Sequence, residues 1–419
     1  MAEILIVGKG GFGDVLPLLA VARELRRRGH GVRLAAEAHH AQACELAGVP
    51  FHALQALPDP EHGRAGSAWS AARRALRETL SPASLAAEVQ ALLPLARDAD
   101  LLMGNQLAYA GALARRVLGK PWVFCAASPL AIPSRHDPPS WPYLQGLQRA
   151  AARLGLPQRW FIAPARAATR VLMRPQAAAR RELGLAGRGH PRFEAMYSRQ
   201  LNLLAASPLL APPQPDWPVA TRVTGFAWFE PELLGDDAQW QRLREFAQAG
   251  SAPPLVFAPG GSLRTRPEEF LRQAAAACRQ LGRRAILVAA PRFQQGLQLD
   301  GDIALTGYMP YSRLFALAGA VVHSAGIGTI GWGMRAGVPQ LLLPTEWDQY
   351  DNARRAERAG VARALPAGAG DARELARALG ELLDDKALAQ RARDAAQRTA
   401  AEDGAAVACD ALQALLAAR

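Results

Sequence analysis

The sequence predicts an α/β protein with two parallel-sheet domains, and three observations carry that prediction. Strand-like apolar runs alternate with helical periods along most of the 419 residues, which is the pattern of a parallel sheet wound with helices. A proline-rich break separates two such series, and a chain of this length usually divides into more than one core. We therefore expect two Rossmann-like domains facing a cleft, with C-terminal helices after Asp371.

The first series starts almost at the N-terminus. A strand from Ile4 to Val7, a helix from Pro17 to Arg28 and a strand from Gly31 to Ala35 form a βαβ unit. Residues 101–103 and 122–124 predict later strands of the same sheet. The proline-rich stretch 131–160, which contains Trp141 and Trp160, predicts an irregular region with exposed aromatic side chains.

Prolines then crowd between residues 208 and 218, where a helix cannot persist. We therefore expect a first domain at 1–210, a linker at 211–232 and a second domain at 233–419. Strands of the second domain are predicted at 255–257, 285–289, 320–323 and 340–343.

Composition restricts the function less than the motifs do. The net charge of +12 comes mainly from arginine, and it is compatible with solvated helix faces or with a basic patch for an anionic membrane surface or nucleotide phosphates. No basic stretch is interleaved with aromatics in a recognised nucleic-acid-binding module, so we expect no nucleic-acid partner. The four cysteines are scattered, which predicts buried thiols in a reducing compartment. No apolar run reaches the ~18 residues of a membrane span and no signal-peptide layout is present, so we expect a cytoplasmic protein, with peripheral inner-membrane association left open.

A glycine-rich loop follows the first predicted strand. Gly8 to Gly13 matches GxGxxG, and Glu37 stands where a dinucleotide-binding protein places its ribose acid. A nicotinamide- or flavin-dependent oxidoreductase is therefore one reading. Asp14 argues against it, because a carboxylate at the helix entrance would repel a pyrophosphate bound to the same N–H groups. Asp14 suits a base aimed at an acceptor hydroxyl, and it can cap the helix at the same time.

A second glycine-rich segment lies in the second half of the chain. His323 to Thr329 follows a strand and opens a helix whose N–H groups could bind a diphosphate, with His323 donating to a phosphate oxygen. Ser262 ends a loop predicted at the same sheet edge. Asp348 and Gln349 follow another strand, where an acid and an amide are suited to binding sugar hydroxyls.

These motifs resemble the superfamily of GT-B-fold glycosyltransferases that includes the UDP-glycosyltransferases and sterol glucosyltransferases. The resemblance covers nearly the whole chain, from the Gly-Asp-Val-x-Pro entrance at 13–17, through 216–225, to the segment from His323 to Asn352. Among bacterial members the chain most resembles the catalytic subunit of the rhamnosyltransferase of rhamnolipid biosynthesis, especially over 211–229 and 337–352.

The resemblance implies an inverting, metal-independent displacement in which Asp14 is the general base. It implies no cofactor beyond a nucleotide-sugar co-substrate. The donor-binding residues that it implies are Ser262, Tyr308, Met309, His323, Gly326, Gly328, Thr329, Trp332, Asp348 and Gln349. The residues expected on the acceptor side are Gly11, Phe12, Gly13 and Trp141.

One departure from the family pattern bears on the donor. Uridine-dependent members carry a ribose-binding Glu nine residues after the signature histidine, where this chain has Trp332. An apolar ring cannot accept those hydrogen bonds, which favours a deoxythymidine donor such as dTDP-rhamnose. We expect transfer of a hexose to a small hydrophobic acceptor such as a β-hydroxyacyl lipid. The alternatives are glucosylation of a sterol or polyphenol from UDP-glucose, the NAD(P)- or flavin-dependent oxidoreductase, and a nucleotide-sugar-binding protein without catalysis.

Overall fold

The computed structural model describes residues 1–54, 81–142, 144–185, 189–231, 237–260, 267–290, 293, 301–366 and 370–418. The strands are β1 (Glu3–Val7), β2 (Gly31–Glu37), β3 (Phe51–Leu54), β4 (Leu101–Gly104), β5 (Trp122–Ala126), β6 (Leu201–Leu204), β7 (Thr221–Val223), β8 (Leu255–Ala258), β9 (Ala285–Val288), β10 (Ile303–Thr306), β11 (Ala320–His323), β12 (Gln340–Leu342) and β13 (Ala362–Ala364). The helices are α1 (Phe12–Arg27), α2 (Ala41–Leu46), α3 (Pro82–Arg97), α4 (Tyr109–Val117), α5 (Gln145–Arg153), α6 (Ile162–Leu172), α7 (Arg174–Glu182), α8 (Asp237–Gln248), α9 (Pro267–Gln280), α10 (Tyr311–Leu314), α11 (Ile327–Ala336), α12 (Gln349–Arg358), α13 (Ala372–Asp384), α14 (Lys386–Ala400) and α15 (Gly404–Ala417).

Two parallel sheets confirm the predicted fold class. The first has the order β3-β2-β1-β4-β5-β6-β7, and the second has the order β10-β9-β8-β11-β12-β13. Every strand pair in both sheets is parallel. Strands β1, β4 and β8 consist almost entirely of apolar residues that are buried on both faces, as helices on both sides of a parallel sheet require.

Both sheets change winding direction at one point, and the loops that carry the motifs lie there. In the first sheet β1 and β4 are neighbours, so the loop after Val7 lies beside the loop after Gly104. In the second sheet β8 and β11 are neighbours, so the segments after Ala258 and His323 lie together. Open α/β sheets bind ligands at such switch points, beyond the carboxyl ends of the strands.

Two segments beyond residue 210 complete the first domain. β7 extends the first sheet by pairing with β6, and it lies within the stretch expected to be the linker. The last helix, α15, packs on α1, where Cys409 and Leu412 share a core cluster with Val21 and Leu25. Its first turn is held by the N–H of Gly404, which donates to the carbonyl of Phe226 at 3.0 Å. The chain therefore crosses between the domains twice.

Candidate active site

Asp14 lies in the first turn of α1, at the switch point of the first sheet. Its Oδ2 accepts a hydrogen bond from the N–H of Gly11 at 3.1 Å, so the carboxylate folds back over the helix start. Its Oδ1 accepts a hydrogen bond from the side-chain amide of Gln106 at 2.7 Å. The side chain therefore caps the helix, and each oxygen keeps room for a further hydrogen bond to an acceptor.

The surroundings hold the pKa of Asp14 well above its ordinary value of 3.8, at about 7. Burial of the carboxylate is the largest cause, and the negative charge of Asp348 is the next. The hydrogen bond from Gly11 opposes both. A carboxylate with a pKa near neutrality is suited to accept a proton from a hydroxyl at physiological pH.

Gln106, which the sequence motifs did not single out, orients Asp14. It follows β4, directly across the switch point from α1, and its Oε1 accepts a hydrogen bond from the N–H of Ala127 at 3.1 Å. That bond turns the NH₂ group of Gln106 toward Asp14. The preceding residue, Asn105, donates to the carbonyls of Lys9 at 2.8 Å and Asp14 at 3.2 Å. The detectable signal was an Asn-Gln pair directly after a buried strand adjacent to β1.

The glycine loop is shaped around Asp14 and is not arranged for a dinucleotide. Gly10 has a φ of +106°, and a Cβ there would lie 2.5 Å from Oδ2 of Asp14. Glu37 is 1% exposed, accepts a hydrogen bond from the N–H of Gly10 at 3.2 Å and lies 3.8 Å from Nζ of Lys9. It is therefore committed to holding the loop. The alternative of an oxidoreductase, in which Glu37 would bind a ribose, loses this support.

The expected acceptor-side residues behave differently from one another. Gly11 and Gly13 are exposed, and a Cβ at either would meet no atom within 4 Å, so the entrance to α1 is open. Phe12 is 44% exposed and packs edge-on against His39 and His40. Trp141, in contrast, is only 5% exposed and packs with Phe193 and its neighbours in a small core cluster. The prediction of an exposed Trp141 on the acceptor side is corrected, because α6 covers its ring.

The second glycine segment opens α11, and its backbone is accessible. Gly326 is the N-cap, with a φ of −59°. A Cβ at Gly328 would meet no atom within 4 Å, and one at Gly326 would meet Oγ1 of Thr329 at 3.6 Å. The N-terminal turn of α11 therefore presents N–H groups to open space at the sheet edge, which is favourable for an anion.

His323 is not placed to donate to a phosphate, and that expectation is corrected. The ring is 1% exposed, and its Nδ1 accepts a hydrogen bond from the N–H of Ala325 at 3.2 Å. Its Nε2 therefore carries the proton and donates to Oε1 of Gln340 at 2.9 Å. Burial lowers the pKa of His323 to about 4, so the ring is neutral at pH 7. It holds Ala325 at a φ of +64°, and thereby sets the turn into α11.

Asp348 lies at the start of α12 and faces Asp14 across the cleft. Its Oδ2 accepts a hydrogen bond from the amide of Asn352 at 2.9 Å, and the same amide donates to the carbonyl of Ala325 at 3.1 Å. Asn352 in turn accepts a hydrogen bond from the hydroxyl of Ser128 in the first domain at 3.1 Å. Burial raises the pKa of Asp348, and the bond from Asn352 opposes that effect. The two carboxylates are close enough for the charge of Asp348 to raise the pKa of Asp14.

Gln349, which was expected to bind sugar hydroxyls together with Asp348, uses its side-chain oxygen within the protein. Gln349 is 8% exposed, and its Oε1 accepts hydrogen bonds from the N–H groups of Thr345 and Glu346 at 2.9 and 3.2 Å. Its carbonyl oxygen is therefore used to form the turn before α12. Ser262, the residue expected on the facing loop, lies outside the described residues.

The residues expected at the nucleoside are divided between surface and core. Tyr308 is 36% exposed, whereas Met309 is fully buried, so the expectation that Met309 contacts the donor is corrected. Trp332 is half-buried on α11 and packs on Trp228 with ring centroids 4.5 Å apart. It lines a pocket of about 250 Å³. The other residues of the pocket are Arg23, Trp228, Phe229, Glu230, Pro310, Ser312, Arg313 and Arg335.

A buried ionic cluster fastens α12 to the first domain beside the cleft. Asp137 forms ion pairs with Arg354, Arg355 and Arg358, and Arg355 also pairs with Asp351 at 2.7 Å. Burial acts to raise the pKa of Asp137, but the bond to Arg358 and the charges of the other two arginines lower it to about 2. This cluster fixes the helix that begins beside Asp348.

Comparisons with known proteins match both halves of the chain to glycosyltransferases. Residues 4–121 match the glycosyltransferase family 28 N-terminal domain, and residues 284–415 match the C-terminal domain of the erythromycin biosynthesis protein CIII-like family. The O-mycaminosyltylonolide 6-deoxyallosyltransferase of Streptomyces fradiae is 30% identical over 97% of this chain and 96% of its own length.

Solved structures show the same fold. The calicheamicin glycosyltransferase CalG4 superimposes with a TM-score of 0.72 at 17% identity, covering 100% of this chain and 98% of that one. The spinosyn rhamnosyltransferase SpnG, complexed with thymidine diphosphate, superimposes with a TM-score of 0.69 at 21% identity, covering 97% and 98% of the two chains. The chain therefore belongs to the GT-B glycosyltransferases of the family 28 and erythromycin-CIII-like group, which includes antibiotic glycosyltransferases.

Proposed function

We propose that this glycosyltransferase transfers L-rhamnose from dTDP-rhamnose to a hydroxyl group of a small hydrophobic acceptor, with inversion at the anomeric carbon. The observation that carries the proposal is Asp14. Its carboxylate stands at the open entrance of α1, opposite Asp348, with a pKa of about 7. A site that raises the pKa of one carboxylate by burial and a facing charge is typical of a general base.

The proposed reaction is a single displacement. Asp14 accepts the proton of the acceptor hydroxyl while that oxygen forms a bond to the anomeric carbon of the sugar. The bond from that carbon to the donor diphosphate breaks, and the diphosphate leaves with the electron pair. Attack from the face opposite the leaving group inverts the anomeric configuration. The proton remains on Asp14, whose pKa is high enough to hold it until it is exchanged with water.

The leaving diphosphate needs stabilisation of its developing negative charge. We assign this role to the N-terminal turn of α11, where Gly326, Gly328 and Thr329 leave the backbone N–H groups accessible. His323 contributes indirectly, because it holds the preceding turn through Ala325. Asp348, held by Asn352, is placed to accept hydrogen bonds from sugar hydroxyls. This mechanism needs no metal ion.

The nucleotide is proposed from Trp332. Its half-buried ring, packed on Trp228, offers an apolar surface where uridine-dependent relatives have a carboxylate, so a ribose with fewer hydroxyls fits better. The spinosyn rhamnosyltransferase of the same fold has been solved with thymidine diphosphate, which supports a deoxythymidine donor.

For the acceptor we propose a β-hydroxyacyl lipid, in line with the resemblance to the rhamnolipid rhamnosyltransferase. A macrolide is the second candidate, and the 30% identity with the 6-deoxyallosyltransferase of O-mycaminosyltylonolide favours it.

The experiment is a product assay on the purified chain with dTDP-rhamnose and, separately, UDP-glucose. Each donor is offered with a β-hydroxyacyl lipid, a macrolide aglycone or a sterol, and products are identified by mass and by the anomeric proton coupling in NMR. We expect rhamnosylation of the lipid with inverted configuration. Turnover with UDP-glucose alone, or a retained configuration, would overturn the proposal.

Trp332→Glu tests the nucleotide assignment independently of the acceptor. A ligand that binds only the folded state raises the melting temperature, so stabilisation by dTDP and UDP can be compared without turnover. The wild type is expected to be stabilised more by dTDP, and the variant is expected to gain stabilisation by UDP. An unchanged preference in the variant would move the nucleotide-selecting residue elsewhere.

A further inference from the structure

A strongly basic stretch lies outside the cleft, in the first domain. Residues 138–181 contain eight arginines and no Asp, Glu or Lys, so this stretch supplies eight of the twelve net positive charges of the chain. The surface of a soluble protein normally carries acidic and basic residues interspersed, so a stretch with arginines alone is unusual.

Most of these arginines are exposed. Arg166 is half-buried and pairs with Glu194, and Arg180 is buried. The six exposed ones are Arg149, Arg153, Arg159, Arg170, Arg174 and Arg181.

Large apolar side chains are exposed on the same elements. Over α5, α6 and the turn between them, the exposed fractions are 63% for Leu147, 75% for Leu154, 40% for Leu156, 60% for Trp160 and 55% for Val171. Leu147 in α5 and Leu154, the C-cap residue of that helix, are seven residues apart, so they lie on one side of it. Together with the exposed residues Arg149, Arg153, Arg159 and Arg170 of the same elements, these five side chains define what we call the α5–α6 surface. Arg149 and Arg153 lie on the other exposed flank of α5 from the two leucines.

The α5–α6 surface is attached firmly to the loop that borders the cleft. On α5, the side chain of Gln148 accepts a hydrogen bond from the N–H of Trp141 at 2.8 Å and donates to the carbonyl of Pro139 at 2.9 Å. On α6, Ala165 packs with Trp141 in a core cluster. The same loop reaches α12, where the N–H of Ser140 donates to Asp351 at 2.9 Å. The exposed apolar side chains therefore belong to helices that are packed and hydrogen-bonded to the rest of the first domain.

We propose that the α5–α6 surface docks on the surface of an anionic lipid bilayer. Exposed leucine, valine and tryptophan side chains can enter the interfacial region, while the arginines attract lipid phosphates. Two acids lie close enough to act on arginines of this stretch, Glu357 on Arg149 and Glu194 on Arg166. No helix among the described residues is long and apolar enough to cross a bilayer, so the contact is peripheral. Docking here would bring the loop from 128 to 141, and with it the cleft, close to a lipid-phase acceptor.

Sedimentation with vesicles tests the proposal. The purified full chain is mixed with vesicles of phosphatidylcholine alone, or of phosphatidylcholine with phosphatidylglycerol, at low and at physiological salt. We expect binding that requires phosphatidylglycerol and weakens with salt. The variant Arg149→Ala/Arg153→Ala/Arg159→Ala is expected to lower the partition coefficient roughly 100-fold, since each basic residue at an anionic surface contributes a factor of about five.

A matched control separates local contact from net charge. Arg26, Arg244 and Arg398 are exposed elsewhere in the chain, and replacing all three by Ala removes the same charge. The control should retain most of the binding. A control that loses as much as the test variant would overturn the proposal, because it would reduce the effect to overall charge.

Trp160→Ala probes the apolar part of the contact, with Val219→Ala as its control, since Val219 is 84% exposed outside the surface. The tryptophan variant should bind several-fold more weakly at every salt concentration, and the valine variant should bind normally. Failure of the wild type to prefer anionic vesicles would overturn the proposal. So would binding to a DNA duplex that is as tight as binding to anionic vesicles and that the triple variant weakens equally, because the same arginines would then bind a nucleic acid.

Discussion

Replacing Asp14 by Asn removes the carboxylate while keeping its size, and it separates the catalytic role from the structural one. In the folded chain the pKa of Asp14 is about 7, against an ordinary value of 3.8. Between about pH 4 and pH 7, Asp14 is therefore protonated in the folded state and ionised in the unfolded chain. Stability falls as the pH rises through that window, and the full penalty is present above pH 7. Asn carries no charge, so the variant avoids this penalty.

The pKa difference sets the magnitude. At pH 8 it corresponds to ~4 kcal/mol, and at pH 5 to ~1.5 kcal/mol, because only part of the window has then been crossed. The amide of Asn cannot accept hydrogen bonds from both Gly11 and Gln106, which costs about 1 kcal/mol at every pH. This loss is the same at both pH values, so it cancels when the change in stability at pH 8 is compared with the change at pH 5. For a chain of 419 residues, 1 kcal/mol shifts the melting temperature by ~1 °C.

We therefore expect the melting temperature of Asp14→Asn, relative to the wild type, to be higher at pH 8 than at pH 5 by roughly 2–3 °C. The measurement is thermal unfolding followed by circular dichroism at both pH values. Over the same preparations, transfer activity should fall by roughly 10²–10⁴-fold, as expected for loss of a general base, while stabilisation by dTDP is retained. A relative melting temperature that does not change with pH would refute the argument that burial and Asp348 raise this pKa.

Three further substitutions test neighbouring parts of the site. Gln106→Ala removes a hydrogen bond that lowers the pKa of Asp14. We therefore expect kcat to fall about 10-fold and the rising limb of its pH profile to move to higher pH. A pH profile at the wild-type position would show that Gln106 does not act through Asp14. His323→Gln should lower the free energy of unfolding in urea by about 1–3 kcal/mol, because buried hydrogen bonds are lost; weaker dTDP binding at unchanged stability would restore the phosphate-donor role. Asp137→Ala should cost about 3 kcal/mol on the same scale, since the buried Arg355 would lose one of its two carboxylate partners and would share the other, Asp351, with Arg354. Asp237→Ala, whose side chain is 93% exposed, is the control.

The division of the chain into two parallel sheets could be predicted from sequence, because buried parallel strands are continuous apolar runs. Ile4 to Val7 and Leu255 to Phe257 show that pattern, and both lie next to glycine-rich segments at switch points. Asp14 and Asp348 could be placed in one site for the same reason. Each follows a strand, and the carboxyl ends of the strands in both domains face the cleft.

What sequence could not provide was the hydrogen-bond partner of each side chain. Gln106 orients Asp14 because β4 is the spatial neighbour of β1, although almost a hundred residues separate them along the chain. His323 and Gln349 have the residue types expected of ligand-binding groups, yet Nδ1 of His323 and Oε1 of Gln349 accept hydrogen bonds that form the turns before α11 and α12. Residue type and spacing do not reveal which atoms are already engaged.

Local sequence thus determined the two-sheet architecture, the two glycine-rich helix starts and the acid at the first of them, since these depend on apolar periodicity and on glycine and proline along neighbouring residues. Only the tertiary structure decided that α15 and β7 belong with the first sheet, that Trp141 is core, and that Asp14 has a near-neutral pKa. Those properties depend on burial and on charges brought together from distant parts of the chain. Asp348, the facing charge, is more than three hundred residues from Asp14.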